Sequence, residues 1–226
     1  GYAFLMNSIK PAWPFIPLVK YQPEYAQAIG KWMLNNASAC RLFYPGYIDE
    51  QHQWAPELRN LTANNIAYEG LRKADDYGKE SLKGLSPVAI GDGPKWIDGN
   101  PTESMFSVYS SSPVGILGAI VDTTNVKGIL KLDCNATDFY APKHYPVYLY
   151  YNPFDEDKEV DYTSAQQVDL FDIVAKEYVA RNIMEKGCFT IPAKATRVVV
   201  ELPVETELTK EGQRIVANKQ YIISYK

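Results

Sequence analysis

The feature that most constrains this fold is a change of hydrophobic period near Gly128. Before it, apolar residues recur at helical spacing; beyond it they gather in short runs rich in β-branched and aromatic residues. Ile129, Leu130 and Leu132 form the first run, and Tyr145 to Tyr151 is dense in Val and Tyr. Val168 to Val174, Phe189 to Ile191, Arg197 to Leu202 and Tyr221 to Tyr225 follow, divided by Pro, Asn, Gly and charged turns. Six or more short strands within about 100 residues predict an antiparallel β-sandwich over 128–226. Asp172 to Asn182 also fits a helix, because Ile173, Val174 and Val179 lie partly at that spacing.

The part before Gly128 reads as helical. Pro23 and Glu24 open a segment in which Tyr25, Ile29, Trp32 and Met33 share one face, predicting a helix over 23–37. Ile66, Ala67, Gly70 and Leu71 predict a second helix within Thr62 to Ala74. Residues 85–103 carry Gly91, Gly93, Pro94, Gly99 and Pro101, a composition suited to a long loop. Ser110 to Ser112 and Pro113 then cap a short buried helix through Ile116, Leu117, Ile120 and Val121. The expected organisation is α+β and multidomain, with a helical domain over 1–127 and a sandwich over 128–226.

Composition removes several function classes. A net charge of -4, with 23 Lys plus Arg scattered along the chain, leaves no basic patch of the kind a nucleic acid needs. Pro11, Pro14 and Pro17 break the apolar stretch from Phe4 to Val19, so no run reaches the roughly 18–20 residues that cross a bilayer. Cys40, Cys134 and Cys188 lack paired spacing and read as buried free thiols. His52 and His144 are the only histidines and form no HExxH pattern, so neither metal nor cofactor is expected. Asp155, Glu156, Asp157 and Glu159 lack the spacing of a calcium loop and read as a solvated turn.

Two loops hold the residues that could carry chemistry. Asp49, Glu50, His52 and Glu57 surround Trp54, which would set carboxylates and an imidazole beside an aromatic platform. Glycoside cleavage needs such a carboxylate pair, one to donate a proton and one to stabilise or attack the sugar cation. The same residues also fit a solvated polar loop. In Gly91-Asp92-Gly93-Pro94-Lys95-Trp96, followed by Asp98, glycines allow close backbone approach while Asp92 and Trp96 could grip and stack a sugar ring. A turn held by Asp92 and anchored by Trp96 fits equally well. The 17 Tyr suit half-buried strands first and sugar-lined clefts second.

Ser110 to Val121, Gly128 to Asp133 and above all Tyr145-Pro146-Val147-Tyr148-Leu149-Tyr150-Tyr151-Asn152-Pro153 resemble the carboxyl-terminal part of large bacterial carbohydrate-active proteins. In these a helical (α/α) toroid precedes a β-sandwich, and Val168 to Asp172 and Ile191 to Ala193 resemble their tail strands. The resemblance covers about residues 105–203. It implies a partial toroid followed by a sandwich, a carbohydrate partner, and a glycoside hydrolase-like activity in the periplasm or outside the cell. Under that reading Asp49, Glu50 and Asp92 are the candidate catalytic residues, and His52, Trp54, Lys95, Trp96 and Asp98 the candidate sugar contacts. The alternative is a non-catalytic carbohydrate-binding or structural module. A toroid needs some dozen helices, so the chain reads as the end of a longer protein, with self-association expected if the piece stands alone.

Overall fold

The computed structural model describes residues 3–4, 10–40, 70–72, 88–90, 118–139 and 144–226. The chain divides into two compact units, 1–11 with 35–117 and 12–34 with 118–226.

In the first unit the described strands form one antiparallel sheet of three: β1 (Ala3–Phe4), β2 (Gly70–Arg72) and β3 (Val88–Ile90), in that order. This corrects two expectations. Gly70 to Arg72 is extended where a helix over Thr62 to Ala74 was expected. Glycine weakens a helix interior, and pairing on both sides holds this segment as a strand. Val88 to Ile90, two β-branched residues flanking an alanine, pairs within the region expected to be wholly irregular.

The second unit is mostly antiparallel sheet with few helices. Helix α1 (Ala12–Tyr21) is followed by a 3-10 turn at Pro23–Tyr25 and by α2 (Ala26–Cys40), of which residues 26–34 belong to this unit and which meets the helix expected over 23–37. Helix α1 forms although Pro14 and Pro17 lie inside it. Pro14 sits in the first turn, where its missing N–H has no intrahelical partner to lose. Pro17 deprives the Trp13 carbonyl of its i→i−4 donor, and the Thr137 hydroxyl supplies the replacement at 2.7 Å. The buried face of α1, with Ala12, Ile16 and Val19, packs on the sheet. Helix α2 comes so close that a side chain on Gly30 would lie 2.8 Å from Cβ of Tyr151.

The main sheet has six strands: β4 (Val121–Thr123), β5 (Leu130–Asp133), β6 (Val147–Tyr151), β7 (Lys158–Asp172), β8 (Glu177–Ile191) and β9 (Thr196–Pro203). Their spatial order is β4-β5-β6-β9-β7-β8, all neighbours antiparallel. The run Ile116 to Val121 therefore does not end as a helix, since residues 118–120 are helical and Val121 starts β4. Asp172 to Asn182 is a turn and the start of β8, which settles the helix alternative against it. Strands β10 (Leu208–Glu211), β11 (Arg214–Ala217) and β12 (Tyr221–Ser224) make a second, small sheet.

Central β9 carries Val198, Val199 and Val200, all buried. Alternation sends Val198, Val200, Leu149 and Tyr151 to the helix side of the sheet, and Val199, Tyr148 and Tyr150 to the other. That second face is covered by the sheet's own hairpin. Strand β7 pairs with β9 only through Val168 to Asp172, while its first part pairs with β8 alone. This free arm folds back so that Val160, Tyr162, Phe189 and Ile191 join Tyr150, Leu170 and Val199 in one core. The rings of Tyr150 and Phe189 meet edge to face at 5.1 Å. The Asn125 side chain, in the β4–β5 connection, accepts a hydrogen bond from the Asp161 amide at 2.9 Å and so ties the arm to the opposite edge.

Asn152, at the end of the distinctive Tyr145 to Pro153 phrase, is fully buried and staples the loop after β6. Its amide nitrogen donates to the carbonyls of Glu156, Ile191 and Pro192 at 2.9–3.1 Å, and its oxygen accepts from the Phe154 amide at 2.9 Å. Tyr150 differs, because its buried hydroxyl has no hydrogen-bond partner among the described residues.

Asn152→Ala is expected to cost about 2–4 kcal/mol, because it leaves several buried groups unpaired, each worth about 1–3 kcal/mol. Tyr150→Phe removes an unpaired polar atom and should leave stability unchanged or raise it. Urea unfolding of the two variants beside the parent checks the contrast. Thr137→Val orphans the Trp13 carbonyl across Pro17 and should cost about 1–2 kcal/mol in the same measurement.

Candidate functional site

The residues expected to carry chemistry, Asp49, Glu50 and Asp92, together with His52, Trp54, Lys95, Trp96 and Asp98, lie outside the described residues. The β-rich unit has its own concave surfaces.

The larger is a groove of about 410 Å³ between the tip of the β7–β8 hairpin and the β10–β11 hairpin. It is lined by Phe171, Lys176, Glu177 and Tyr178 on one side and by Leu208, Thr209, Lys210 and Ile215 on the other. That volume lies within the range of small-molecule sites, roughly 300–1,000 Å³. Phe171 and Tyr178 face each other across β7 and β8 and pack edge to face, centroids 5.2 Å apart. The Arg181 guanidinium lies 4.3 Å from the Tyr178 ring centre. Burial pushes the Tyr178 hydroxyl above its ordinary range, with Arg181 pulling partly the other way.

Asp172 builds the turn that holds this wall. Its carboxylate is fully buried and accepts from the amides of Val174 at 3.0 Å, Ala175 at 3.4 Å and Val198 at 3.0 Å. It also pairs with Arg197 at 2.9 Å, and the same guanidinium nitrogen reaches Glu177 at 2.9 Å. Burial works against the Arg197 charge, but its hydrogen bonds to Asp172 and Glu177 outweigh that and raise its pKa. Lys176 completes the turn in the left-handed region, at φ 59°. Lys176 and Lys210 make no ion pair among the described residues, so the groove carries two free ammonium groups.

A second, smaller pocket of about 50 Å³ lies between α1, β6, β9 and β12, lined by Lys20, Tyr21, Asn135, His144, Tyr145 and Tyr225 among others. It has room for a few waters and none for a sugar ring. Its polar groups already satisfy one another. Lys20 pairs with Asp138 at 2.6 Å and donates to Asn135 at 2.8 Å, and Tyr21 donates to Asp138 at 2.7 Å. Burial and the Asp138 bond hold the Tyr21 hydroxyl protonated. His144 stacks on Tyr221, ring centres 3.8 Å apart.

Buried Asp169, half-buried Glu201 and the acidic turn are likewise occupied. Asp169 accepts from Arg181 and from the Asn182 amide, and Glu201 accepts from Tyr162. Asp157 accepts from the Ala193 amide at 2.8 Å, while Asp155 pairs with Lys194 and Glu156 with Lys158. Among the described residues no group of three or more His, Cys, Asp or Glu side chains could hold a metal ion. The cysteine reading needs one correction. Cys134 is buried and burial raises its pKa far up, but Cys188 is exposed on β8. Strand alternation turns it outward, opposite the buried Phe189.

No protein-family model matches the sequence, and no curated protein matches it. Among solved structures, an α-amylase from Anoxybacillus, described with a new glycosyl hydrolase subclass, is similar at 13% identity and a TM-score of 0.28, over 40% of this chain and 20% of its own. A candidate α-N-acetylgalactosaminidase from Bacillus halodurans gives 12% identity and 0.28, over 43% and 26%. α-Galactosidase I from Mortierella vinacea gives 16% identity and 0.28, over 52% and 32%. This chain thus spans at most 32% of the length of those proteins. A TM-score of 0.28 is too low to establish a shared fold.

The Glu159 carboxylate, hydrogen-bonded to the Cys188 thiol, raises that thiol's pKa, which lowers its thiolate fraction at neutral pH. Cys188 should therefore alkylate more slowly than free cysteine at about pH 7.5 despite its exposure. Glu159→Gln should speed it, as followed by iodoacetamide labelling and mass spectrometry.

Proposed function

We propose that this chain is a carbohydrate-active protein in which the β-rich unit provides a sugar-binding surface and supports glycoside hydrolase-like chemistry carried by Asp49, Glu50 and Asp92. The observation that carries the reading is the groove of about 410 Å³ walled by Phe171, Tyr178, Leu208 and Ile215 and rimmed by Lys176, Glu177 and Lys210. Pyranose rings present apolar C–H faces and a polar periphery. An aromatic wall with charged hydrogen-bonding groups at its margin complements both.

The division of labour follows from the carboxylates. Asp138, Asp169, Asp172 and Glu201 are each engaged in hydrogen bonds that hold the fold. General acid–base work on a glycosidic oxygen requires a carboxyl free to approach substrate. On this proposal the cleavage chemistry is assigned to the loop carboxylates, with His52, Trp54, Lys95, Trp96 and Asp98 as their sugar contacts. The sheet and its folded-back hairpin then act as the sandwich-like brace of a larger enzyme.

The test is a panel of oligosaccharides, scored separately for binding by calorimetry and for release of reducing ends. Tyr178→Ala should weaken binding about tenfold or more, in line with the loss of one sugar–aromatic contact of about 1.5 kcal/mol. Asp49→Asn, Glu50→Gln and Asp92→Asn should lower turnover by at least about 100-fold while leaving binding in place. Binding without turnover in the parent would remove the hydrolase assignment and leave the non-catalytic module.

A further inference from the structure

Resting on the reading of the hairpin groove as a sugar site, we propose that its ligand is an acidic carbohydrate, an oligosaccharide whose residues carry carboxylate or sulfate groups. The charge state of the groove is the reason. Glu177, its one acidic lining residue, is held by Arg197 at 2.9 Å. The carboxylate of Asp169, nearby on β7, is held by Arg181 at 3.1 Å and by the Asn182 amide at 2.8 Å. Lys176 and Lys210 face the groove from opposite hairpins, and neither is paired among the described residues. Arg197 is shared between Glu177 and buried Asp172, so the two arginines of this wall meet three carboxylates, and the two unpaired lysines tip the surroundings of the groove to a net positive charge.

The geometry suits a sugar acid better than a simple anion. A bare phosphate or sulfate ion would find two exposed lysines beside the Glu177 carboxylate and would leave the apolar faces of Phe171, Tyr178, Leu208 and Ile215 uncovered. A uronic acid residue offers a ring face to Phe171 and Tyr178 and a carboxylate to the ammonium groups. Lys176 is placed by an unusual backbone. Its left-handed conformation is one that glycine adopts more easily, and the Asp172 turn imposes it. The side chain is therefore presented at the groove by the turn that also fixes Arg197 and Glu177.

The experiment compares an oligogalacturonate trisaccharide with a neutral galactose trisaccharide by calorimetry on the full chain, at low salt and at about 0.5 M NaCl. The acidic sugar is expected to bind several-fold more tightly at low salt, with the difference shrinking as salt screens exposed pairs. A Lys176→Gln, Lys210→Gln double variant, both substitutions being at exposed positions, should abolish the difference between the two sugars. Equal or tighter binding of the neutral trisaccharide by the parent would overturn the acidic-ligand proposal and leave the sugar-binding reading intact. Binding of neither sugar would overturn the sugar-binding reading and this proposal with it. A preference that persists in the double variant would overturn the assignment to these lysines.

Discussion

The architecture of the β-rich unit depends on a mismatch of strand lengths. Strands β7 and β8 have 15 residues each, while β9, the partner of β7 on its other side, has 8. Only Val168 to Asp172 of β7 can pair with it. The first part of the hairpin must either hang in solvent or turn back, and its apolar side chains decide the outcome. Burying Val160, Tyr162, Phe189 and Ile191 against Tyr150 and Val199 is worth on the order of 1.5–3 kcal/mol per side chain. One sheet therefore covers its own face, while the helices cover the other.

Turning a paired hairpin requires that the ladder be interrupted in a controlled way. The register shifts between Ser164 and Val168 and again before Leu170 and Phe171, and Asn182 and Glu185 adopt positive φ at the same level. Residues 165–167 are exposed together, so alternation is lost where the chain bends. Asp169, buried at this bend, accepts from the Asn182 amide and pairs with Arg181, satisfying a backbone donor that the bulge leaves without a strand partner. Asp172 performs the corresponding task at the turn. The two buried carboxylates of β7 are thus explained by backbone geometry, without any catalytic role.

Much of the sheet was legible because buried strands announce themselves by composition. Val198 to Val200 on β9, and Val147 to Tyr151 on β6, lie in runs too β-branched and aromatic for other structure. The arm of β7 from Lys158 to Gln167 was not legible, since its charged and polar residues alternate with only two buried positions, Val160 and Tyr162. Helix α1 was hidden by its prolines, because the compensating Thr137 hydroxyl lies more than a hundred residues away. The groove was hidden for the same reason. Phe171 and Tyr178 meet through the pairing of β7 with β8, while Lys210 comes from β10 of the separate small sheet, and only the folded chain brings the three together.

Asp172 links the fold to the character of the groove. A buried carboxylate needs a cation, and Arg197, directly on central β9, supplies it from within the unit. With its other contact Arg197 reaches Glu177 at the rim and offsets part of the charge that would otherwise repel an anionic ligand. The same carboxylate shapes the turn that brings Lys176 to the opening. Stability at the hairpin tip and positive potential in the groove therefore share one origin. A substitution that frees Asp172 from Arg197 would alter both together, whereas neutralising Lys176 or Lys210 would alter only the second.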